Sequence, residues 1–219
     1  MSNLFFRKVN ARASTTRSTW IFLHGLLGSS KNFMSLARND KVSYHNDIYL
    51  PDIRNHGQSP HTETHELEDL TADLIEFMDS QNLDKVRLLG HSMGGRVSMD
   101  ALTRHPDRFE RAVIVDTGPF DYYDMEKYPN SRKTQGYIYK LDKVGMRGRT
   151  FAEIKADVLE IAEGNTGLAG FMMTNLEKLK DKDSAGKKIA NWRWRVNYKG
   201  LMRGYTDYLG WTYGGGARQ

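Results

Sequence analysis

Ten residues constrain this chain more than any others: Val86-Arg-Leu-Leu-Gly90-His-Ser92-Met-Gly94-Gly95, an apolar run that enters Gly-x-Ser-x-Gly and continues with helical spacing. A turn between a buried strand and a helix is so tight that the residues around its apex must be small. It also lifts the apical serine out of the sheet at the positive end of the helix. The spacing therefore marks Ser92 as a nucleophile, with Gly90 and Gly94 as the small residues that let strand and helix approach. Gly-x-Ser-x-Gly alone is a common string; a strand before it and an amphipathic helix after it make it specific.

A second motif lies on an earlier strand, Trp20-Ile-Phe-Leu-His24-Gly25-Leu26-Leu27-Gly28. Gly25 and its neighbouring glycine let backbone amides face an incoming carbonyl, so the amides of Leu26 and Met93 are expected to form an oxyanion hole. Two preorganised donors of this kind supply about 3 kcal/mol each of transition-state stabilisation. His24 reads as a structural hydrogen-bonding residue beside that loop rather than as a base.

The first two thirds of the chain alternate short apolar runs with helical stretches, the pattern of crossover units that build a parallel sheet. Strands are expected at Leu4–Val9, Thr19–Leu23, Asp47–Leu50, Val86–Leu89 and Ala112–Asp116. Helices are expected at Lys31–Arg38, at Glu66–Ser80 with Leu67, Leu70, Leu74 and Met78 at three or four residue spacing, and at Met93–Thr103. After Pro119 the chain turns aromatic, charged and mostly helical, with segments near Thr150–Glu163, Leu168–Lys180 and Tyr198–Leu209. The expected organisation is an α/β core over residues 1–120, a helical cap over 121–211 and a loose tail over 212–219.

At these motifs the chain resembles the α/β-hydrolase superfamily, and within it the small acyl esterase branch, which comprises abhydrolase domain-containing protein 11-like proteins and bacterial short-chain acyl esterases. The supporting stretches are Leu23-His-Gly-Leu-Leu-Gly-Ser-Ser-Lys-Asn-Phe33, Arg54-Asn-His-Gly-Gln-Ser-Pro-His61, Leu89-Gly-His-Ser-Met-Gly-Gly-Arg96 and Trp194-Arg-Val-Asn197. Asp52-Ile-Arg54-Asn-His56-Gly57-Gln-Ser59 is similar to the family's Asp-x-Arg-x-x-Gly-x-Ser loop, which packs behind the active site. The resemblance runs from about Leu4 to Trp211. It implies a mostly parallel sheet flanked by helices, hydrolysis of small acyl esters or thioesters through an acyl-serine, Asp116 as the triad acid, and no metal or organic cofactor.

The family's order along the chain is serine, acid, histidine. Here all seven histidines (24, 45, 56, 61, 65, 91 and 105) occur at or before position 105, and residues 106–219 contain none. The chain stops after Tyr205-Thr-Asp-Tyr-Leu-Gly-Trp211, about where the family begins its next strand. The C-terminal strands are therefore expected to be missing, and Ala112–Asp116 is expected to be an apolar edge that one or more protein partners cover.

Composition narrows the classes further. A mean hydropathy of -0.64 goes with no apolar run of the roughly 18–20 residues that a membrane-spanning helix needs. The absence of cysteine excludes a disulfide framework and favours an intracellular compartment. Charge is split: residues 1–39 hold six Lys or Arg and no carboxylate, and residues 171–219 hold ten against four acids. The basic, acid-free start resembles a mitochondrial presequence and tilts location toward mitochondria over cytoplasm. No RNA-binding motif accompanies the basic ends, so nucleic acid is not an expected partner. His61-Thr-Glu-Thr-His65 is not a His-Glu-x-x-His zinc motif, and no metal is expected. Asp69 and Asp73 share a helix face that is expected to be solvated. Together these features favour a noncatalytic structural subunit of a larger assembly. The alternative is an active serine hydrolase whose histidine comes from another polypeptide or from sequence outside these 219 residues.

Overall fold

The computed structural model describes residues 4–15, 18–122, 124, 126–182, 188–210 and 212. Its main sheet is built from β1 (Phe6–Val9), β2 (Ser18–Leu23), β3 (Asn46–Pro51), β4 (Val86–His91) and β5 (Phe109–Val115), in the order β1-β3-β2-β4-β5. β1 runs antiparallel to β3, and every other pairing is parallel. Between β2 and β3 the chain makes a 3-10 turn at Ser30–Phe33 and two single-turn helices, α1 (Met34–Ala37) and α2 (Asp40–Ser43). The continuous helix expected over Lys31–Arg38 is thus broken into pieces. The reason lies in Ser30, whose amide is drawn to Asp52 Oδ1 at 2.6 Å and whose side chain is buried, which fixes the start of the segment in a tight turn.

Two longer helices cover the sheet, α3 (Leu67–Ser80) and α4 (Met93–Arg104). α3 buries Leu67, Leu70, Leu74, Phe77 and Met78, the stripe that a 3.6-residue period dictates. α4 buries Met93, Val97 and Ala101, but also Arg96 and Asp100. Thr71 Oγ1 donates to Asp100 Oδ2 at 2.7 Å, so a satisfied polar contact sits between the two helices. Asp69 and Asp73 are not solvated as expected. Arg54 lies between them, 2.6 Å from Asp73 and 3.3 Å from Asp69, and the guanidinium and both carboxylates are at least two thirds buried.

β5 is shifted from the expected Ala112–Asp116: it begins at Phe109 and ends at Val115, which leaves Asp116 in the loop beyond it with φ of 58°. Among the described residues no strand lies on its far side, and Val113 and Val115 are 45 % and 40 % exposed.

Beyond β5 come α5 (Pro129–Asp142), α6 (Phe151–Ile161), α7 (Thr166–Met173), β6 (Leu176–Lys182), β7 (Lys188–Trp194) and α8 (Tyr198–Leu209). The helix expected over Leu168–Lys180 ends at Met173, and an antiparallel hairpin follows it. Leu176 and Leu179 have helical spacing, but pairing decides their state: Leu176 lies opposite Trp194, and Lys178 opposite Trp192 with its ammonium 5.7 Å from the indole. Two side chains fasten this region to the core. Buried Arg96 donates to the carbonyls of Gly118, Phe120 and Leu209 at 2.8–3.1 Å. Asn197 donates its amide N–H to Asn55 O and its side-chain N–H to Asn55 Oδ1, each at 2.9 Å. Apart from Thr212, the tail over 212–219 lies outside the described residues. No helix among the described residues is long and apolar enough to cross a membrane.

Candidate active site

β4 delivers the chain into the elbow at Ser92, where φ is 50° and ψ is -113°. A non-glycine residue in that region costs about 1–3 kcal/mol and persists only where its surroundings over-determine it. Here they do. The Ser92 amide donates to Val115 O at 2.9 Å, while the Ser92 carbonyl accepts the first bonds of α4 from Gly95 and Arg96. Gly90 and Gly94 make the turn possible: a Cβ on Gly90 would press on the Gly94 carbonyl and lie 2.5 Å from Ser98 Oγ, and one on Gly94 would lie 2.7 Å from Leu23 Cβ. Gly25 fits against the same elbow, because a Cβ there would lie 2.7 Å from His91 Nδ1 and 3.3 Å from Ser92 Cβ.

Ser92 opens into a cavity of about 880 Å³ whose wall includes Leu26, Met93 and Asp116. The Met93 amide begins α4, and the Leu26 amide lies in the loop after β2. Neither N–H meets a backbone acceptor among the described residues. Both oxyanion candidates thus border the same cavity as Ser92, the candidate nucleophile, with their donors uncommitted. Asp116 also reaches this cavity, with a side chain 80 % exposed, and its Oδ2 lies 3.6 Å from His91 Nε2. The structure therefore brings Ser92, Leu26, Met93 and Asp116 to one place.

It does not bring a histidine to Ser92: none of the seven is hydrogen-bonded to Ser92 Oγ. Three of them are buried together behind the oxyanion loop, with ring centroids 5.1 Å apart for His24 and His56 and 5.6 Å for His56 and His65. Each is committed. His24 Nε2 accepts the Ile53 amide at 2.9 Å, His56 Nε2 accepts the Leu27 amide at 3.1 Å, and His65 Nε2 lies 3.4 Å from Met93 Sδ. Burial pushes all three below the ordinary histidine range, His56 well below and His65 to about 3. They are neutral props at physiological pH.

The Asp52–Ser59 loop locks this support in place. Asp52 accepts the amides of Ser30 at 2.6 Å and Gln58 at 2.9 Å, and Ser59 Oγ donates to the Asp52 carbonyl. Position 57 requires glycine on two counts: its φ is 60°, and a Cβ there would run into the Asp52 carboxylate.

A model of the alpha/beta hydrolase fold matches residues 20–149, more than half of the chain, including Leu26, Ser92, Met93 and Asp116. The chain is an α/β-hydrolase. The chain is 31 % identical over 209 residues to the esterase YbfF of Escherichia coli, a match covering 93 % of this chain and 74 % of that one. It is 29 % identical over 194 residues to the sn-1-specific diacylglycerol lipase ABHD11 of Danio rerio, covering 87 % of this chain but only 56 % of the relative. Among solved structures, a marine microorganism esterase superposes with a TM-score of 0.82 at 32 % identity, covering 98 % of this chain and 76 % of its own. These relatives place the chain in the small esterase branch of the family, and it spans about half to three quarters of their length.

One residue of the candidate site is not legible as such in the sequence. Asn175, 3 % exposed, donates from Nδ2 to Leu27 O at 2.7 Å. Leu27, with φ of 59°, is thus held on both sides, its N–H by His56 and its C=O by Asn175. The two partners lie 29 and 148 positions from it, beyond the reach of any local motif.

Proposed function

We propose that this chain is the nucleophile-bearing part of a serine hydrolase of small acyl esters or thioesters, and that its general base is a histidine from another polypeptide or from sequence outside these 219 residues. The observation that carries this reading is the Ser92 elbow, held in a costly conformation beside two uncommitted amides in one cavity. Ser92 Oγ attacks the acyl carbonyl, and the supplied histidine takes the hydroxyl proton. The amides of Leu26 and Met93 hold the oxyanion while Asp116 orients the imidazole. The histidine then protonates the leaving alcohol or thiol, and water cleaves the acyl-serine by the reverse sequence. Phe171, Met172 and Leu168 give the cavity the apolar lining an acyl chain requires.

A second reading is favoured by the lack of a histidine at Ser92 and by the outer edge of β5, which no strand covers among the described residues: a noncatalytic structural subunit of a larger, mitochondrial assembly, in which a protein partner pairs with that edge. Fluorophosphonate labelling of the native purified material, mapped to peptides, separates the two. Stoichiometric labelling of Ser92, abolished by Ser92→Ala, supports the hydrolase. A folded, fully assembled sample that remains unlabelled overturns it and leaves the structural role.

A further inference from the structure

On the far side of the oxyanion loop from Ser92 lies a second cavity, of about 450 Å³. Leu26 and Leu27 face the first cavity, while Ser29 and the three residues after it face the second. The chain at the end of α7 divides in the same way, Met172 within the helix to one side and Asn175 just beyond it to the other. The two cavities therefore share a wall, and the Asn175 to Leu27 hydrogen bond runs through it.

The charge of the second cavity is one-sided. Arg7, Lys31 and Arg195 line it, and Asp52 is its single carboxylate. Both Asp52 oxygens are already occupied by backbone amides, those of Ser30 and Gln58. Arg195 shares Glu177 with Arg193, at 3.2 and 2.7 Å. Among the described residues no carboxylate lies within ion-pair distance of Arg7 or Lys31. Two further polar groups in the wall are buried without a partner, Arg7 Nε and Ser30 Oγ. Native interiors rarely leave such groups unmet, and here both can donate.

We propose that this cavity binds the phosphate of a small phosphomonoester. Three cations against one carboxylate leave a local charge that a phosphomonoester, carrying about -1.5 to -2 near neutral pH, balances and that a single carboxylate does not. Arginine and lysine supply the charge-assisted donors that tetrahedral oxyanions take, and a cavity of about 450 Å³ has room beside the phosphate for a small organic group. The site is independent of the chemistry at Ser92. Because Asn175 lies in its wall, occupancy is expected to register at Leu27 and hence at the oxyanion loop.

Titration calorimetry of the full chain with inorganic phosphate and with glycerol phosphate, at matched ionic strength against chloride, tests this. The expected result is saturable one-to-one binding of glycerol phosphate with a Kd at or below about 1 mM. Arg7→Gln and Lys31→Gln are each expected to weaken it at least tenfold, and Ser92→Ala to leave it unchanged. Lys31 is exposed, so Lys31→Gln keeps the test valid if Arg7→Gln fails to fold. Amide chemical shifts of Leu27 and Asn175 are expected to move on titration in the wild type and to stay fixed in Lys31→Gln. Lack of saturable binding, binding that both variants retain, or binding confined to phosphatidate vesicles with none of the soluble phosphates overturns the proposal.

Discussion

Acid should loosen this protein through the histidines that support its oxyanion loop, and His65 gives the effect a size. Its imidazole is fully buried against Met93 and Asn55, and burial lowers its pKa from 6.5 to about 3. In the unfolded chain it titrates near 6.5. Between those two values the unfolded state holds a proton that the native state does not, so stability rises with pH across that window. The contribution is complete above about 6.5 and is lost progressively as pH falls toward about 3. Each pH unit inside the window is worth about 1.4 kcal/mol, so His65 alone removes about 2 kcal/mol between neutrality and pH ~5. His24 and His56 shift in the same direction and steepen the loss. The assay is urea denaturation at a series of pH values from ~5 to ~7, with His65→Gln beside the wild type. The variant can differ in absolute stability, but its slope against pH should be shallower, by about 1.4 kcal/mol per unit below pH ~6 and by less as pH approaches ~7. An unchanged slope would refute the assignment of His65 as a neutral, proton-excluding prop.

Three other outcomes follow from the geometry. Asn175→Ala leaves the Leu27 carbonyl unmet in a buried position, at about 1–3 kcal/mol, and is expected to slow phosphonylation of Ser92 roughly ten- to hundredfold, read as the labelling rate, while the chain stays folded. Gly94→Ala places a methyl group against Leu23 and is expected to cost about 3 kcal/mol, seen as a lower denaturation midpoint together with loss of labelling. Val113→Lys combined with Val115→Lys is expected to release any chain bound along β5 in size-exclusion chromatography, with less than about 0.5 kcal/mol change in the stability of the isolated chain.

What the sequence made legible, and what it hid, divides along the range of the interactions. The elbow could be read because its constraint is local: strand, small residue, serine, small residue, helix, all within ten positions. The order of α3, β4, α4 and β5 followed from hydrophobic period, with ends displaced by one to three residues where caps and bulges intervene. β6 was hidden because Leu176 and Leu179 fit a helical stripe as well as a strand, and only the tryptophans of β7 decide between them. The role of Asn175 was hidden for a stronger reason, since nothing near it in the chain requires an asparagine. Asp69 and Asp73 were misjudged as solvated because their partner, Arg54, belongs to another segment.

The double grip on Leu27 has an evolutionary corollary. One of its two anchors, His56, belongs to the sheet-bearing half, and the other, Asn175, belongs to the segment that follows β5. Segments of that kind vary most freely among proteins that share a fold. A lineage that exchanged this one wholesale would change more than the cavity wall that Leu168, Phe171 and Met172 supply. It would also discard one of the two hydrogen bonds that set the backbone next to Leu26, so the loop beside Ser92 and the segment after β5 are tied to vary together.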